Sequence, residues 1–344
     1  MTAVLGPRVG TVAVLGPHII DVLGRPVTEI PAGQGSARLD EIRVTVAGTG
    51  GGAAVDLAKL GMSVASFAAV GDDLLGQLLD SQLRAHGVDT GGLVWRRGGV
   101  TSSTILPIRP NGERPALHVP GATPSLRAAD VDGAALLTAD ALLFGGPETM
   151  PQLLNSDGVA LIAAVHAAGK PVFVDLLHPA TTATLDLLTP FLPSIDWFLP
   201  NDDQLRGLTG IDDLAAAGRA LLARGVGAVA VTVGAQGALL VQPDRDPVSV
   251  PALPTTVVDT TGCGDSFNAG MITGLLSGCT PEDAALLGCA CGALVASGLG
   301  SDAGIVDRAG VLALIAGSDP AAAHRIGDTV DAHLAGRARV ALDA

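Results

Sequence analysis

Short apolar runs bounded by Gly, Pro and Asp alternate with stretches of helical period along most of the chain. The first run, residues 11–19, predicts a buried strand with Asp21 following at its C-terminal end. Residues 22–30 and 42–46 read as short strands joined by a Gly/Ser loop. Residues 53–60 and 74–86 have helical spacing and are stopped by Gly61 and Gly87, with a strand over 64–70 between them. The alternating segments 101–108 and 114–119 flank Pro110-Asn111-Gly112-Glu113, a strong hairpin signal. Beyond Asp130 the pattern becomes regular, with strands expected at 141–144, 172–175, 197–199 and 228–233 and helices at 158–168 and 214–224.

Strand and helix patterns that alternate in this way imply an α/β fold, with a mostly parallel sheet covered by helices on both faces. The early β-rich stretches break the alternation and are expected to form a small sheet projecting as a lid. The expected division is a core of residues 1–21, 47–93 and 121–344 and a discontinuous lid of residues 22–46 and 94–120. Residues 319–344 read as one more helix. Val4-Leu5-Gly6-Pro7 recurs as Val14-Leu15-Gly16-Pro17, but no wider repeat follows.

Composition narrows the function classes. Hydrophobic residues are 48% of the 344, yet aromatics are only 2% and Tyr is absent, so the core should be aliphatic. No apolar run reaches the roughly 18 residues that span a bilayer. The N-terminus lacks a basic region followed by an apolar run and a small-residue cleavage site, which sets the expectation of a cytoplasmic protein. A net charge of −14, without Lys/Arg-rich runs, argues against a nucleic-acid partner. The cysteines Cys263, Cys279, Cys289 and Cys291 match no common zinc spacing and read as structural thiols. Cys263 is the exception, because a helix N-terminus there would lower its pKa and make it reactive if exposed.

The segment Asp259-Thr260-Thr261-Gly262-Cys263-Gly264-Asp265 carries the chemistry. Gly262 and Gly264 can turn successive N–H groups inward as an anion-binding nest. A helix is expected from Ser266 to Leu276, with Phe267, Met271, Ile272, Leu275 and Leu276 on one face. Its N-terminus favours negative charge, so Asp265 is expected to stay ionised and to suit a base beside a transferring phosphoryl group. A plain N-cap role for Asp265 is the competing structural reading.

These residues resemble the C-terminal signature Asp-Thr-x-Gly-Ala-Gly-Asp-x-Phe of the ribokinase-like (PfkB) carbohydrate kinase family, with Cys263 in place of Ala. Ala47-Gly48-Thr49-Gly50-Gly51-Gly52, Val70-Gly71-Asp72-Asp73, Pro200-Asn201-Asp202-Asp203 and Val231-Thr232-Val233-Gly234 are similar to further family elements, over about residues 11–315. The resemblance implies a three-layer α/β/α core with a β lid, and ATP- and Mg²⁺-dependent phosphorylation of a hydroxyl on a small sugar or sugar-like substrate. By position, it implies Asp265 as general base and the N–H groups of Gly262, Cys263 and Gly264 as anion hole. Asp21, Gly48, Gly50 and Gly51 would hold the sugar, and Asn201, Thr232, Gly234, Gly237 and Gly292 the nucleotide. Where the family has Asn, this chain has Gly52. Where it has Asn-x-x-Glu, this chain has Asn201-Asp202-Asp203-Gln204, leaving Asp203 as the candidate metal ligand and an altered Mg²⁺ dependence as the expectation. Exposed lid strands make a homodimer plausible.

Two other classes remain open on sequence. Gly48 to Ala53 also fits the loose Gly-x-Gly-x-x-Gly/Ala pattern of nicotinamide-dependent dehydrogenases, though the preceding segment is half polar. A non-catalytic sugar or nucleoside sensor on a kinase fold is favoured only by the altered Asn201–Gln204 element. A Walker-type P-loop is absent, because Gly169-Lys170 is followed by Pro171. The isolated histidines His86, His166, His324 and His333 read as surface or core fillers, and His178 as a loop residue near the expected phosphate channel.

Overall fold

The computed structural model describes residues 10–343, so the first copy of the Val-Leu-Gly-Pro repeat lies outside the described residues. In chain order the first half contains β1 (Thr11–Leu15), β2 (Ile19–Arg25), β3 (Glu41–Ala47), α1 (Gly48–Lys59), β4 (Ser63–Gly71), α2 (Leu74–Ala85), β5 (Asp89–Arg96), β6 (Ser103–Pro107) and β7 (Leu117–Val119). There follow α3 (Gly133–Thr138), β8 (Ala141–Gly145), α4 (Ser156–Ala167), β9 (Val172–Asp175), α5 (Thr182–Leu188), β10 (Trp197–Phe198), α6 (Asp202–Thr209) and α7 (Leu214–Leu222). The last elements are β11 (Ala228–Thr232), β12 (Ala238–Val241), β13 (Val248–Val250), α8 (Cys263–Leu276), α9 (Pro281–Ala296), α10 (Arg308–Ser318) and α11 (Pro320–Asp343).

Nine strands form one sheet in the order β13-β12-β11-β10-β9-β8-β1-β4-β5, parallel except that β12 runs antiparallel to both of its neighbours near one edge. Alternate residues of each central strand feed opposite cores. On β1, Val12 and Val14 pack under α1, α8 and α9, whereas Ala13 and Leu15 pack under α4, α5 and α7. Both faces of the sheet are therefore buried, as the apolar runs imply.

The second sheet, β3-β2-β6-β7, has four strands. It differs from the expected lid in two places. Residues 94–96 belong to β5 at the edge of the large sheet. β1 stops at Leu15 because Gly16 and Pro17 break the ladder, and the chain re-enters as β2 at Ile19. Asp21 therefore lies inside a strand of the small sheet rather than after the first core strand. Pro26 ends β2, well short of residue 30.

Helix α1 begins at Gly48, not Ala53. Glycine disfavours helix interiors, but packing overrides propensity here. A Cβ on Gly50 would stand 2.9 Å from the His18 ring, and one on Gly51 2.8 Å from Val46. The helix thus lies tight against the β1–β2 connection. Helix α8 likewise starts earlier than expected, at Cys263, and Asn268 to Gly274 are buried on every side rather than along one stripe.

Candidate active site

A cleft of about 290 Å³ opens between the carboxyl ends of the core strands and the inner face of the small sheet, the usual place for ligands in an open α/β sheet. Its floor is the start of α8. Gly262 is the N-cap in the left-handed conformation (φ 79°), and Gly264 and Asp265 occupy the first turn. A side chain on Gly262 would strike Ser301, whereas one on Gly264 would meet nothing within 4 Å. The helix start thus fronts open space; the Cys263 N–H makes a long bond to Thr260 O (3.4 Å), which leaves the Gly264 and Asp265 N–H groups to face an anion. Asp259 braces this turn from below, its carboxylate accepting hydrogen bonds from Thr261 N and Oγ1 (3.0 and 2.7 Å) and Gly300 N (3.1 Å).

Asp265 faces the cleft with its carboxylate turned towards α1, where a Cβ on Gly52 would stand 3.1 Å from Oδ2. Burial pushes its pKa up to about 6, opposed by Arg114. At neutral pH it is still mostly ionised, though desolvation makes it a weaker acid than a solvated carboxyl. The expectation for Cys263 is corrected: burial pushes the thiol up to about 12, so it is not a reactive thiolate.

The ceiling is a row of side chains across the small sheet. The strand register places Thr45, Asp21, Thr104 and His118 side by side on β3, β2, β6 and β7. Asp21 is buried, and burial pushes its carboxyl up to about 7, opposed by a hydrogen bond from Thr104. His118 Nδ1 lies 3.0 Å from Thr104 Oγ1, and its ring meets the edge of His178 at 6.3 Å, bridging ceiling and core. A second bridge stands at the floor, where Arg114 donates from Nε to Thr260 Oγ1 at 3.1 Å.

The side wall comes from β9 and α6. Asp175 ends β9, accepts hydrogen bonds from Leu176 N and Asn268 Nδ2 (both 2.7 Å), and is held well above the usual carboxylate range by burial and by Asp265. Asn201 and Gln204 cap α6 reciprocally, and both line the cleft. The Gln204 amide also donates to Leu176 O (2.9 Å) and His178 O (3.2 Å), anchoring the loop after β9.

The expected site residues are therefore only partly assembled. Asp21, Gly48, Asn201, Thr232, Gly262, Gly264 and Asp265 line one cleft, with Cys263 in the same turn. Gly50 and Gly51 face Pro17, His18 and Val46 instead, and serve helix packing. Gly234 and Gly237 form the turn beyond β11, and Gly292 faces the Cys263 carbonyl from α9. Asp203 does not reach the cleft: its side chain is 93% exposed and pairs with Arg206, because the capping box points Gln204 inward in its place. Thr104, Arg114, His118 and Asp175 are additions that no linear motif marks. Among the described residues no group of three or more His, Cys, Asp or Glu is arranged to hold a metal ion. The open helix start fits a nucleotide phosphate, whereas a divalent ion fits only as one carried by phosphate and water.

Ribokinase from Arabidopsis thaliana, solved with ribose and ATP, superposes with a TM-score of 0.76 over 90% of this chain and 99% of its own, at 23% identity. The fold is that of the ribokinase-like kinases. The family profile of pfkB carbohydrate kinases matches residues 10–308. Fructoselysine 6-kinase of Escherichia coli (strain K12) is 30% identical over 251 residues, covering 71% of this chain and 88% of its own. Deoxyribokinase of Salmonella typhi is 29% identical over 265 residues, covering 74% and 82%. The chain belongs to the pfkB family and is a carbohydrate kinase, a phosphotransferase acting on sugars. The dehydrogenase alternative also lacks its structural context, because the strand before Gly48 belongs to the small sheet and is half-exposed. No described helix is long and apolar enough to cross a membrane.

Proposed function

We propose that this kinase transfers the γ-phosphoryl group of ATP to a hydroxyl, most simply a primary one, of a small sugar or sugar-like acceptor, with Asp265 as general base. The observation that carries the reading is the placement of Asp265 in the same helical turn as the Gly262–Gly264 nest, facing the cleft opposite Asp21. A carboxylate there takes the hydroxyl proton while the adjacent N–H groups hold the transferring group. Asp21 accepts hydrogen bonds from acceptor hydroxyls, and the small sheet acts as a lid that excludes water. Arg114, delivered by the lid hairpin to the floor, adds positive charge where negative charge develops.

Magnesium carried with the nucleotide supplies charge neutralisation at the phosphates. Asn201 and Asp175, which line the cleft where Asp203 does not, would orient the ion's water. Thr232 and the turn after it, with Gly234 and Gly237, border the nucleotide end, backed by Gly292.

We further propose a homodimer through the outer face of the lid. In the row Val44, Val22, Ile105 and Leu117 across β3, β2, β6 and β7, Val22 is partly buried and the other three are 43–61% exposed, leaving an apolar sheet face uncovered. A second copy presenting the same face covers it self-complementarily.

The test is ADP release from ATP and Mg²⁺ across sugars, sugar acids and nucleosides, with Asp265→Asn alongside. Release that requires one acceptor and falls by about 10²–10⁴-fold in the variant supports the assignment. Acceptor-dependent release that survives the substitution removes Asp265 as the base. Binding of a sugar or nucleotide with no release at all returns the sensor reading.

A further inference from the structure

The polar row on the lid ceiling says which kind of acceptor the cleft reads. We infer that His118 is a specificity-determining residue presenting a hydrogen-bond acceptor at Nε2, so that with Asp21 it selects a neutral polyhydroxylated acceptor over a carboxylate-bearing one. The inference rests on the kinase assignment above and deepens it.

Asp21 stands directly opposite Thr104, and Thr104 opposite His118, on three adjacent strands. When ionised, the state in which it binds acceptor hydroxyls, Asp21 only accepts, so the Thr104 hydroxyl donates its single proton to it. Thr104 Oγ1 is then left as an acceptor towards His118 Nδ1, 3.0 Å away. His118 must therefore carry its proton on Nδ1. Burial and the neighbouring His178 both lower its pKa, which keeps the ring neutral. A neutral imidazole protonated at Nδ1 has a lone pair at Nε2.

The ceiling thus offers acceptors at both ends of the relay, and the complementary ligand supplies donors, namely hydroxyl groups. A carboxylate placed there would meet lone pairs and a buried anion. Among the described residues lining the cleft, Arg114 is the one Lys or Arg, and it is turned to Thr260 at the phosphate end. Its charge is felt at Asp21, but its Nε is committed to Thr260, and no second Lys or Arg among the described cleft-lining residues stands beside His118 to receive a carboxylate.

The experiment separates this inference from the kinase assignment by measuring binding as well as turnover. Isothermal titration of the Asp265→Asn protein with D-ribose, D-fructose, D-gluconate and 2-keto-3-deoxy-D-gluconate reads selection without chemistry. Wild type, His118→Leu and His118→Gln are compared in the ADP-release assay, with melting curves confirming that each is folded. A neutral sugar should bind at least about tenfold more tightly than either acid. His118→Leu should raise KM for that sugar about tenfold, with kcat falling less than KM rises, and His118→Gln, which keeps an acceptor at the far position, should recover part of the loss. Tighter binding of an acid, binding of none of the neutral sugars, or a folded His118→Leu protein with unchanged KM overturns the inference. Acceptor-independent ADP release would instead overturn the kinase assignment, and the titration would still decide the ceiling's preference.

Discussion

At the scale of single residues, the functional carboxylates are set by desolvation. Asp265 titrates near 6 because burial disfavours its charged form. As a base it must be ionised, so kcat/KM should fall about tenfold per pH unit below that point. Asp21, pushed up to about 7, also works ionised and should steepen the decline between pH 7 and 6. A profile flat down to pH 5 would contradict both roles. His18 gives a stability prediction of defined sign. It is fully buried, and its pKa is lowered to about 4 from 6.5. Between those values the unfolded chain binds the extra proton, so stability falls as pH drops through the window, by about 3 kcal/mol in all. Asp21 acts oppositely over the same range but is common to wild type and His18→Leu. Denaturant unfolding of the two proteins at pH 6.5 and 4 therefore isolates the histidine, and equal losses in both would exclude it. Gln204 donates to two backbone carbonyls, a task a carboxylate cannot perform. Gln204→Glu should destabilise the fold by about 1–3 kcal/mol without a lower Mg²⁺ requirement; an unchanged melting temperature with tighter Mg²⁺ dependence would favour a metal role at this position.

At the scale of elements, α8 carries the proposed base and anion nest, and α9 packs against it. The two helices touch backbone to backbone: a Cβ on Gly270 would stand 2.7 Å from Gly288, and one on Gly274 2.7 Å from Ala284. Gly270→Val should cost about 1–3 kcal/mol through overpacking and lower kcat as α8 tilts, both readable by melting and turnover. Central strands such as β8 and β9 are legible in the sequence because both faces are apolar. The start of α1 is not, since its glycines oppose helix and only the distant Val46 and His18 explain them. Asp21 is misplaced by a continuous-looking apolar run in which Gly16-Pro17 conceals a change of sheet. Asp265 and its nest are legible because the signature is contiguous. Thr104 and His118 are not, because they meet Asp21 only through strand register, which a linear reading does not supply.

At the scale of the whole molecule, the small sheet is tied to the core at separated points. Arg43 on β3 donates to Leu299 O at 2.9 Å, beside the Gly300 amide that holds Asp259. With the Arg114 and His118 bridges, this contact links the lid to the braced turn under the anion nest. The outer face of the same sheet is apolar, so Ile105→Lys with Leu117→Lys should convert the proposed dimer to monomer in sedimentation velocity. A wild type that sediments as a monomer at micromolar concentration would dispose of the dimer.

The division between ceiling and floor also bears on how such an enzyme changes over generations. The proposed chemistry sits on a helix packed through glycines, where added bulk meets neighbouring backbone. The proposed choice of acceptor sits on a thin second sheet, whose side chains can be exchanged one at a time. Lineages built on this plan can therefore change what they feed on while inheriting the reaction intact.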